Sequence, residues 1–299
     1  MVSPSRVVAV LLALSAAPAA AELPASPFLT GLLGARGEFL DSVRAVPIGA
    51  PEKARTHDEL RAEVKAHLRG SGVAEAWIDA AFADPRAAVI QEVADRFAST
   101  APAEGLPYDR YRAIFLTPQR IEAGADFIAA NRPLLGAVRA GRGVDAHLLA
   151  ALVGVETFYG RNTGRYPVFG ALYTISLRVP RRSAWAAREL AELLRLAAPQ
   201  GVDPHAVFGS YAGAFGYAQF MPSSFVAYAV DQDGDGRRRW DEWPDMLGSA
   251  ANYLARHGYA GSSFTPSSPI GRSIYAYNHS ENYVRVVLEL RAALLARAP

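Results

Sequence analysis

Glu156 is the residue whose setting best suits acid–base chemistry. It follows the apolar run 148–155 and precedes Thr157, Phe158 and Tyr159. Burial disfavours the charged form of a carboxyl group, so a glutamate at an apolar helix end is expected to have a raised pKa. Such a group stays protonated near neutral pH and can act as a general acid. The alternative is a helix-end glutamate that turns to solvent or accepts backbone hydrogen bonds.

A second catalytic carboxylate is not evident near Glu156 in the sequence. Between Glu156 and Asp231 the only acids are Glu189, Glu192 and Asp203. Glu189 and Glu192 lie among arginines in an amphipathic stretch, which predicts a solvated helix face. Glycosidases that use two carboxylates need a partner acid. The pattern therefore favours a mechanism with one acid, in which the substrate supplies the second group.

A second cluster of acids suits a metal ion. The stretch 231–242 fits the twelve-residue EF-hand loop, which binds calcium through oxygen ligands at positions 1, 3, 5, 7 and 12. The side chains of Asp231, Asp233, Asp235 and Glu242 and the backbone carbonyl of Arg237 occupy those positions. Three consecutive arginines, 237–239, are unusual there and predict modest affinity. The alternative is an acidic, glycine-rich surface turn.

Most of the aromatic residues lie between 158 and 283, and many are tyrosines. Tyrosine combines an apolar ring with a hydrogen-bonding hydroxyl, which suits the apolar face and hydroxyl rim of a sugar. The alternative is core packing, which we expect for Phe208 and Phe225. The distribution favours a carbohydrate ligand.

The elements that position these residues are predicted to be helices. Apolar residues recur at three- and four-residue intervals, and Thr117-Pro118 and Asp145 are typical helix starts. Asp84-Pro85 is expected to open another helix, and 203–224 is rich in turns. The expected helices cover 57–69, 73–83, 146–156, 186–198, 245–257 and 282–297. The sequence predicts a mainly α fold with little β structure.

Composition excludes several classes of protein. The chain has 299 residues, a net charge of +2 and no cysteine. The balanced charge argues against nucleic acid as a partner. The absence of cysteine excludes disulfides, thiolate metal sites and a lipidated cysteine.

The first 21 residues predict export. One arginine, an apolar stretch and a small-residue cleavage site are typical of a secretory signal peptide. The apolar run is shorter than the ~20 residues of a membrane-spanning helix. We expect a soluble, periplasmic protein without a stable membrane anchor.

Three motifs resemble the B-type lytic murein transglycosylases. They are Ala-Leu-Val-Gly-Val-Glu-Thr-Phe-Tyr-Gly-Arg (151–161), Gly-Ser-Tyr-Ala-Gly-Ala-Phe-Gly-Tyr-Ala-Gln-Phe-Met-Pro-Ser-Ser (209–224) and Gly-Ser-Ala-Ala-Asn-Tyr (248–253). The resemblance covers roughly 108–283. It implies a lysozyme-like helical catalytic domain over 108–299, containing the acidic loop 231–245. The region 22–107 would form a separate N-terminal helical part.

The resemblance also implies a reaction. These enzymes cleave the glycosidic bond between N-acetylmuramic acid and N-acetylglucosamine in peptidoglycan without adding water. The glutamate, here Glu156, protonates the glycosidic oxygen and later accepts the proton of the attacking carbon-6 hydroxyl. A 1,6-anhydro end results. Alternatives are a water-using muramidase on the same fold and a non-catalytic peptidoglycan-binding protein.

Further site residues follow from the resemblance. Ser210 would orient the substrate's acetamido group, and Gln219 would contact the sugar. Arg181 and Arg182 match a pair near the peptide-bearing side, with a solvated charge pair as the alternative. In the metal loop the family's spacing places the last carboxylate at Asp245, in competition with Glu242, and the calcium is expected to be structural. The groove positions are Tyr111, Tyr253, Tyr277, Asn278 and Tyr283. Complexes with other cell-wall enzymes are also expected.

Overall fold

The structure is a computed structural model that describes residues 55–98 and 107–297. The expected signal peptide, 1–21, lies outside these ranges. Within them the chain forms thirteen α-helices and one two-stranded sheet. The prediction of a mainly α fold is therefore confirmed.

Three helices come first: α1 (His57–His67), α2 (Glu75–Ala83) and α3 (Gln91–Ala98). Thr56 begins α1 with a capping box, since its hydroxyl accepts from the Glu59 N–H and the Glu59 carboxylate accepts from the Thr56 N–H. The helix predicted to open at Asp84-Pro85 is present as α3, but it begins only at Gln91. Asp84 is extended, and its carboxylate binds the backbone N–H and the guanidinium of Arg86 instead.

The next four helices lead to the candidate acid. They are α4 (Tyr108–Phe115), α5 (Pro118–Ala130), α6 (Arg132–Arg142) and α7 (Ala146–Thr157). The predicted caps are confirmed, because the Thr117 hydroxyl accepts from the Arg120 N–H and the Asp145 carboxylate accepts from the Leu148 N–H.

The middle of the chain returns on itself through a short sheet. β1 (Tyr166–Pro167) pairs antiparallel with β2 (Phe208–Gly209), with Tyr166 opposite Gly209. Between the strands lie α8 (Val168–Arg178), a 3-10 turn (Pro180–Arg182), α9 (Ser183–Gln200) and a second 3-10 turn (Pro204–Ala206). The strand pair brings the turn-rich segment after 208 close to the end of α7.

Four helices complete the fold: α10 (Pro222–Tyr228), α11 (Trp243–Arg256), α12 (Pro269–Tyr277) and α13 (Glu281–Arg297). The α7 helix packs against α5, α6, α11 and α13, so apolar residues surround it. One hydrophobic core runs from Leu60 in α1 to Leu294 in α13. The division at 107/108 stays a prediction.

In the described residues, every helix is either too short or too polar to cross a bilayer.

Candidate active site

Glu156 is the penultimate residue of α7, and all of residues 148–157 are buried. Glu156 is only 3% exposed to solvent. Burial raises the pKa of the Glu156 carboxyl to about 8, although a hydrogen bond from Tyr283 lowers it. The carboxyl group therefore faces the protein interior, in the setting a neutral-pH general acid requires.

Three tyrosines lie close to this carboxyl group. The Tyr283 hydroxyl donates to Glu156 Oε1 over 2.6 Å. Burial, and then the nearby Glu156 charge, raise the pKa of Tyr111, Tyr277 and Tyr283. The Tyr111 hydroxyl is buried and has no hydrogen-bond partner among the described residues. The structure thus brings four of the predicted site residues together.

In the described residues, no second carboxylate contributes to the pKa of Glu156. Burial raises that pKa, and the Tyr283 hydroxyl lowers it. The expectation that Glu156 acts without a partner acid stays a prediction.

Thr157 joins the end of α7 to the turn-rich segment. Its hydroxyl donates to the Tyr217 carbonyl over 2.7 Å and accepts from the Gly160 N–H over 3.0 Å. Phe158 and Tyr159 follow with φ values of 51° and 57°, a backbone conformation that residues other than glycine rarely adopt. This strained pair lies directly beside the candidate acid.

Two glycines leave room for the ring of Tyr159. A Cβ atom on Gly124 of α5 would lie 2.2 Å from the Tyr159 hydroxyl oxygen, and one on Gly154 of α7 would lie 2.6 Å from it. Neither glycine is among the site residues predicted from the sequence. Glycine inside a helix costs stability relative to alanine and so signals a close approach.

Gln219 and Ser210 lie in the turn-rich segment. Gln219 has a φ of 52°, and its Nε2 donates to the carbonyls of Thr163 and Gly216, each over 3.0 Å. Ser210 is fully buried, and its hydroxyl accepts from the N–H groups of Ala212 and Ala214. In this structure both side chains shape the segment that faces the end of α7.

Tyr253, Tyr277 and Asn278 support this segment from the other side. The Tyr277 hydroxyl donates to the Ala218 carbonyl over 2.6 Å, next to Gln219. The Tyr253 hydroxyl donates to the Ala276 carbonyl over 2.8 Å. Asn278 is 1% exposed. Tyr253 and Tyr277 therefore link α11, α12 and the turn-rich segment through hydrogen bonds.

Arg181 and Arg182 lie between α8 and α9 and differ in their surroundings. Arg181 is exposed, whereas Arg182 is buried with its guanidinium 5.0 Å from the centre of the Phe97 ring. The alternative of a solvated pair is therefore wrong for Arg182, because α3 covers it. A cation over an aromatic face is attracted by the ring.

Two other expectations are wrong. Glu189 is 4% exposed rather than solvated, since its carboxylate accepts from the Ser223 N–H and hydroxyl at the start of α10. Its spacing from the buried Ala186 and Leu193 could have revealed this. Phe208 is 51% exposed, whereas Phe225 is buried as expected. Successive side chains of a strand point to opposite faces, and in β2 the position of Gly209 is buried whereas that of Phe208 is exposed.

Three acids of the predicted metal loop converge. Carboxylate oxygens of Asp231, Asp233 and Asp245 lie within 4.8 Å of one another. Asp245 is buried and accepts from the N–H groups of Gln232 and Arg239. Burial raises the pKa of Asp245, and the neighbouring Asp233 and Asp231 add to this. Three carboxylates so close together form a donor set that suits a hard cation.

The other predicted ligands lie differently. The Asp235 carboxylate accepts from the Arg237 N–H over 2.7 Å. Glu242 pairs with the Arg239 guanidinium over 2.5 Å and begins α11 as its N-cap residue. Of the two competing carboxylates, Asp245 is the one beside Asp231 and Asp233.

The chain is similar to a transglycosylase family and to individual transglycosylases. The family described as Transglycosylase SLT domain matches residues 56–265. The membrane-bound lytic murein transglycosylase B of Escherichia coli strain K12 is 40% identical over 151 residues. That stretch is 50% of this chain and 42% of the relative, so the match spans less than half of the relative's length.

Solved structures match over most of the chain. The Escherichia coli lytic transglycosylase Slt35 in complex with calcium has a TM-score of 0.70 and 26% identity, covering 80% of this chain and 93% of that one. SltB3 from Pseudomonas aeruginosa in complex with NAG-anhNAM-pentapeptide has a TM-score of 0.72 and 25% identity, covering 81% and 80%.

Proposed function

We propose that this chain, which belongs to the Transglycosylase SLT domain family, is a lytic transglycosylase that cleaves the glycan strands of peptidoglycan. One observation carries the proposal: a single buried carboxyl group, Glu156, whose pKa is raised to about 8 without a second acid beside it in the described residues. A group of this kind donates a proton near neutral pH and takes one back later in the same cycle.

In the proposed reaction Glu156 protonates the glycosidic oxygen as the bond to the muramyl carbon-1 breaks. The substrate's own acetamido group stabilises the positive charge that develops at this carbon. The muramyl carbon-6 hydroxyl then bonds to carbon-1 and returns its proton to Glu156. Water is not consumed, and the product carries a 1,6-anhydro end.

The surrounding tyrosines have separate roles in this proposal. The Tyr283 hydroxyl, 2.6 Å from Glu156 Oε1, stabilises the carboxylate that remains after proton donation. The buried Tyr111 hydroxyl provides a hydrogen bond to substrate in the groove. Gln219, Ser210, Tyr253, Tyr277 and Asn278 shape the sugar-binding wall.

Product analysis in oxygen-18 water tests the proposal. Purified sacculi digested by the protein should release muropeptides with anhydro ends. These products should be lighter by one water than the corresponding reducing-ended muropeptides and should contain no oxygen-18. The Glu156→Gln variant should lose this activity by about a thousandfold or more, because amide nitrogen cannot donate as an acid. Isotope-labelled reducing ends would instead identify a water-using muramidase. Full activity of the glutamine variant would contradict the assignment of Glu156.

We further propose that Asp231, Asp233 and Asp245 hold a structural calcium ion. Support comes from the convergence of their oxygens within 4.8 Å and from the calcium complex of the similar Slt35. The Asp235 and Arg237 positions complete the loop, and the ion adds stability rather than a chemical step.

The calcium proposal predicts different effects for two acids of the loop. Asp245→Asn should weaken calcium affinity at least tenfold, because it removes a charged ligand from the cluster. Glu242→Gln should change affinity little, since Glu242 pairs with Arg239. Calorimetric titration of metal-free protein measures both. Equal affinities for wild type and Asp245→Asn would contradict the ligand assignment.

We propose export to the periplasm from the pattern of residues 1–21. N-terminal sequencing of the protein recovered from the producing cell should show cleavage after Ala21. An uncleaved N-terminus would contradict this.

A further inference from the structure

A large cleft lies on the side of the acidic loop that faces α9. It has a volume of about 870 Å³ and is bounded by the C-terminal part of α9, the segment 202–208, α10 and residues 236–241 of the loop. Four arginines line it, namely Arg195, Arg237, Arg238 and Arg239, together with one acid, Asp241. The cleft is therefore cationic.

The four arginines differ in whether an acid neutralises their charge. Arg195 pairs with Glu192, and Arg239 pairs with Glu242. Arg237 and Arg238 are exposed and make no ion pair with any described residue. An arginine fork binds carboxylates with two parallel hydrogen bonds, so a free pair of them suits an acidic ligand.

The loop structure holds these arginines at the cleft. The Arg237 N–H binds the Asp235 carboxylate over 2.7 Å, and the Arg239 N–H binds the buried Asp245 carboxylate over 2.7 Å. Two acids of the loop thus anchor the backbone on both sides of Arg238, and one of them, Asp245, belongs to the proposed calcium site. This links the metal loop to the cleft.

The cleft adjoins the proposed catalytic groove. Thr163, Gly216 and Tyr217 line it, and the Gln219 amide donates to the first two of these residues. The Tyr217 carbonyl accepts from Thr157, the neighbour of Glu156. Hydrogen bonds of the turn-rich segment therefore connect the lining of the cleft to the residues next to Glu156.

An apolar edge flanks the arginines. The exposed Phe208 and the half-buried Tyr217 and Trp240 line the same cleft. Tyr217 stacks on Trp243 with ring centres 4.2 Å apart, which fixes its ring. A ligand with both carboxylates and apolar groups fits this lining.

We infer that this arginine cleft binds the carboxylates of a peptide stem carried by the glycan substrate. The inference rests on the proposed function, because it takes peptidoglycan as the substrate. The N-acetylated glycan is uncharged where its lactyl groups are joined to peptides, so the negative charge resides on the stems. Charge complementarity thus favours the stem as the occupant.

Kinetics on two forms of one substrate test the inference. The double variant Arg237→Gln/Arg238→Gln should raise KM for peptide-bearing strands roughly three- to tenfold, because exposed ion pairs are individually weak. Its KM for the same strands after enzymatic removal of the peptides should equal that of wild type. Added salt should raise the wild-type KM for peptide-bearing strands and affect the double variant less.

Two further variants control for folding and for general charge. Arg237→Lys/Arg238→Lys keeps the charge and should recover most of the affinity. Arg69→Gln/Arg132→Gln removes two exposed arginines that lie outside the cleft and should leave both KM values unchanged. All assays use saturating calcium, and equal melting temperatures confirm an intact loop.

A binding measurement separates this inference from the proposed reaction. In the Glu156→Gln background, a soluble stem peptide with free carboxylates should bind in a calorimetric titration, and the arginine-to-glutamine double variant should bind it more weakly. The same peptide with amidated carboxylates should bind weakly to both.

The outcomes for the two proposals are distinct. A wild type that makes no anhydro ends from either substrate overturns the proposed function, while the peptide titration still decides the cleft. A wild type that makes anhydro ends, with a double variant impaired on both substrates or on neither, overturns the cleft inference and leaves the function standing. Equal binding of free and amidated peptide also overturns it.

Discussion

In the proposed function, the protonation state of the Glu156 carboxyl group decides what this protein can do at a given pH. Glu156 is surrounded by apolar residues of α7 and receives one hydrogen bond, from Tyr283. Burial favours its neutral form and holds its pKa at about 8, well above the ordinary 4.5. An unfolded chain ionises this group at much lower pH, so proton binding and folding are coupled.

The first prediction concerns stability and pH. Between pH 4.5 and about 8 Glu156 is protonated in the folded state and ionised in the unfolded state. The free energy of unfolding should therefore fall as pH rises through this window, by roughly 1.4 kcal/mol per unit for this group. The neutral Glu156→Gln variant has no ionisable group here, so its free energy of unfolding should not fall in this way. The variant should therefore become more stable relative to wild type from pH 5 to pH 8. Urea denaturation at several pH values measures the free energy of unfolding of both proteins. A difference between them that stays constant with pH would contradict the prediction.

The second prediction concerns Tyr283. Tyr283→Phe removes the hydroxyl that lowers the pKa of Glu156, so the alkaline limb of the kcat profile should move to higher pH. Loss of a hydrogen bond to the carboxylate should also reduce kcat by about tenfold or more. Tyr275→Phe, at an exposed site in α12, is the matched control and should change neither quantity. An unchanged profile for Tyr283→Phe would disprove the role.

At the scale of elements, the site depends on how a turn-rich segment is held against a helix end. Thr157, Tyr277 and the amide of Gln219 each bind backbone groups of this segment or its neighbours. Glu189 of α9 receives the N–H and hydroxyl of Ser223, where α10 begins. Such a contact satisfies a donor that would otherwise lack a partner at a helix start.

The third prediction compares two glutamates on α9. Glu189→Gln leaves one acceptor for two donors of Ser223 and should reduce the free energy of unfolding by about 1–3 kcal/mol. Glu192→Gln loses only a partly exposed ion pair with Arg195 and should cost less than about 1 kcal/mol. Denaturant unfolding measures both. Similar losses for the two variants would argue against the role of Glu189.

At the scale of the molecule, the helices before residue 98 and those after it share a core. The α1 helix packs against α8 and α9, and Leu60 of α1 is fully buried. Family similarity likewise begins at residue 56, ahead of the predicted boundary at 107/108. The position of that boundary stays a prediction, which an unfolding experiment can test.

The fourth prediction uses two leucines. Leu60→Ala should lower the free energy of unfolding by about 2–5 kcal/mol and leave one cooperative transition, because α1 belongs to the shared core. Leu295→Ala, at a residue 41% exposed in α13, should change it by less than about 1 kcal/mol. Circular dichroism and tryptophan fluorescence should give coincident curves. Two separate transitions would indicate that α1 unfolds independently.

Much of the fold and of the candidate site could be predicted because the signals are local. Apolar spacing and the caps at Thr117 and Asp145 predicted α5 and α7, and the apolar run before Glu156 predicted its burial. The spacing of Asp231 and Asp233 likewise predicted an acidic loop. These features depend on neighbours within a few positions of the chain.

Only the tertiary structure decided which faces of those elements meet. The burial of Glu189 depends on α10, the covering of Arg182 depends on α3, and the exposure of Phe208 depends on which face of β2 meets the core. The Tyr283 hydroxyl reaches Glu156 across 127 positions of sequence. Helical periodicity shows that a residue is on an apolar or polar face, but burial is set by what packs there, which local sequence does not encode.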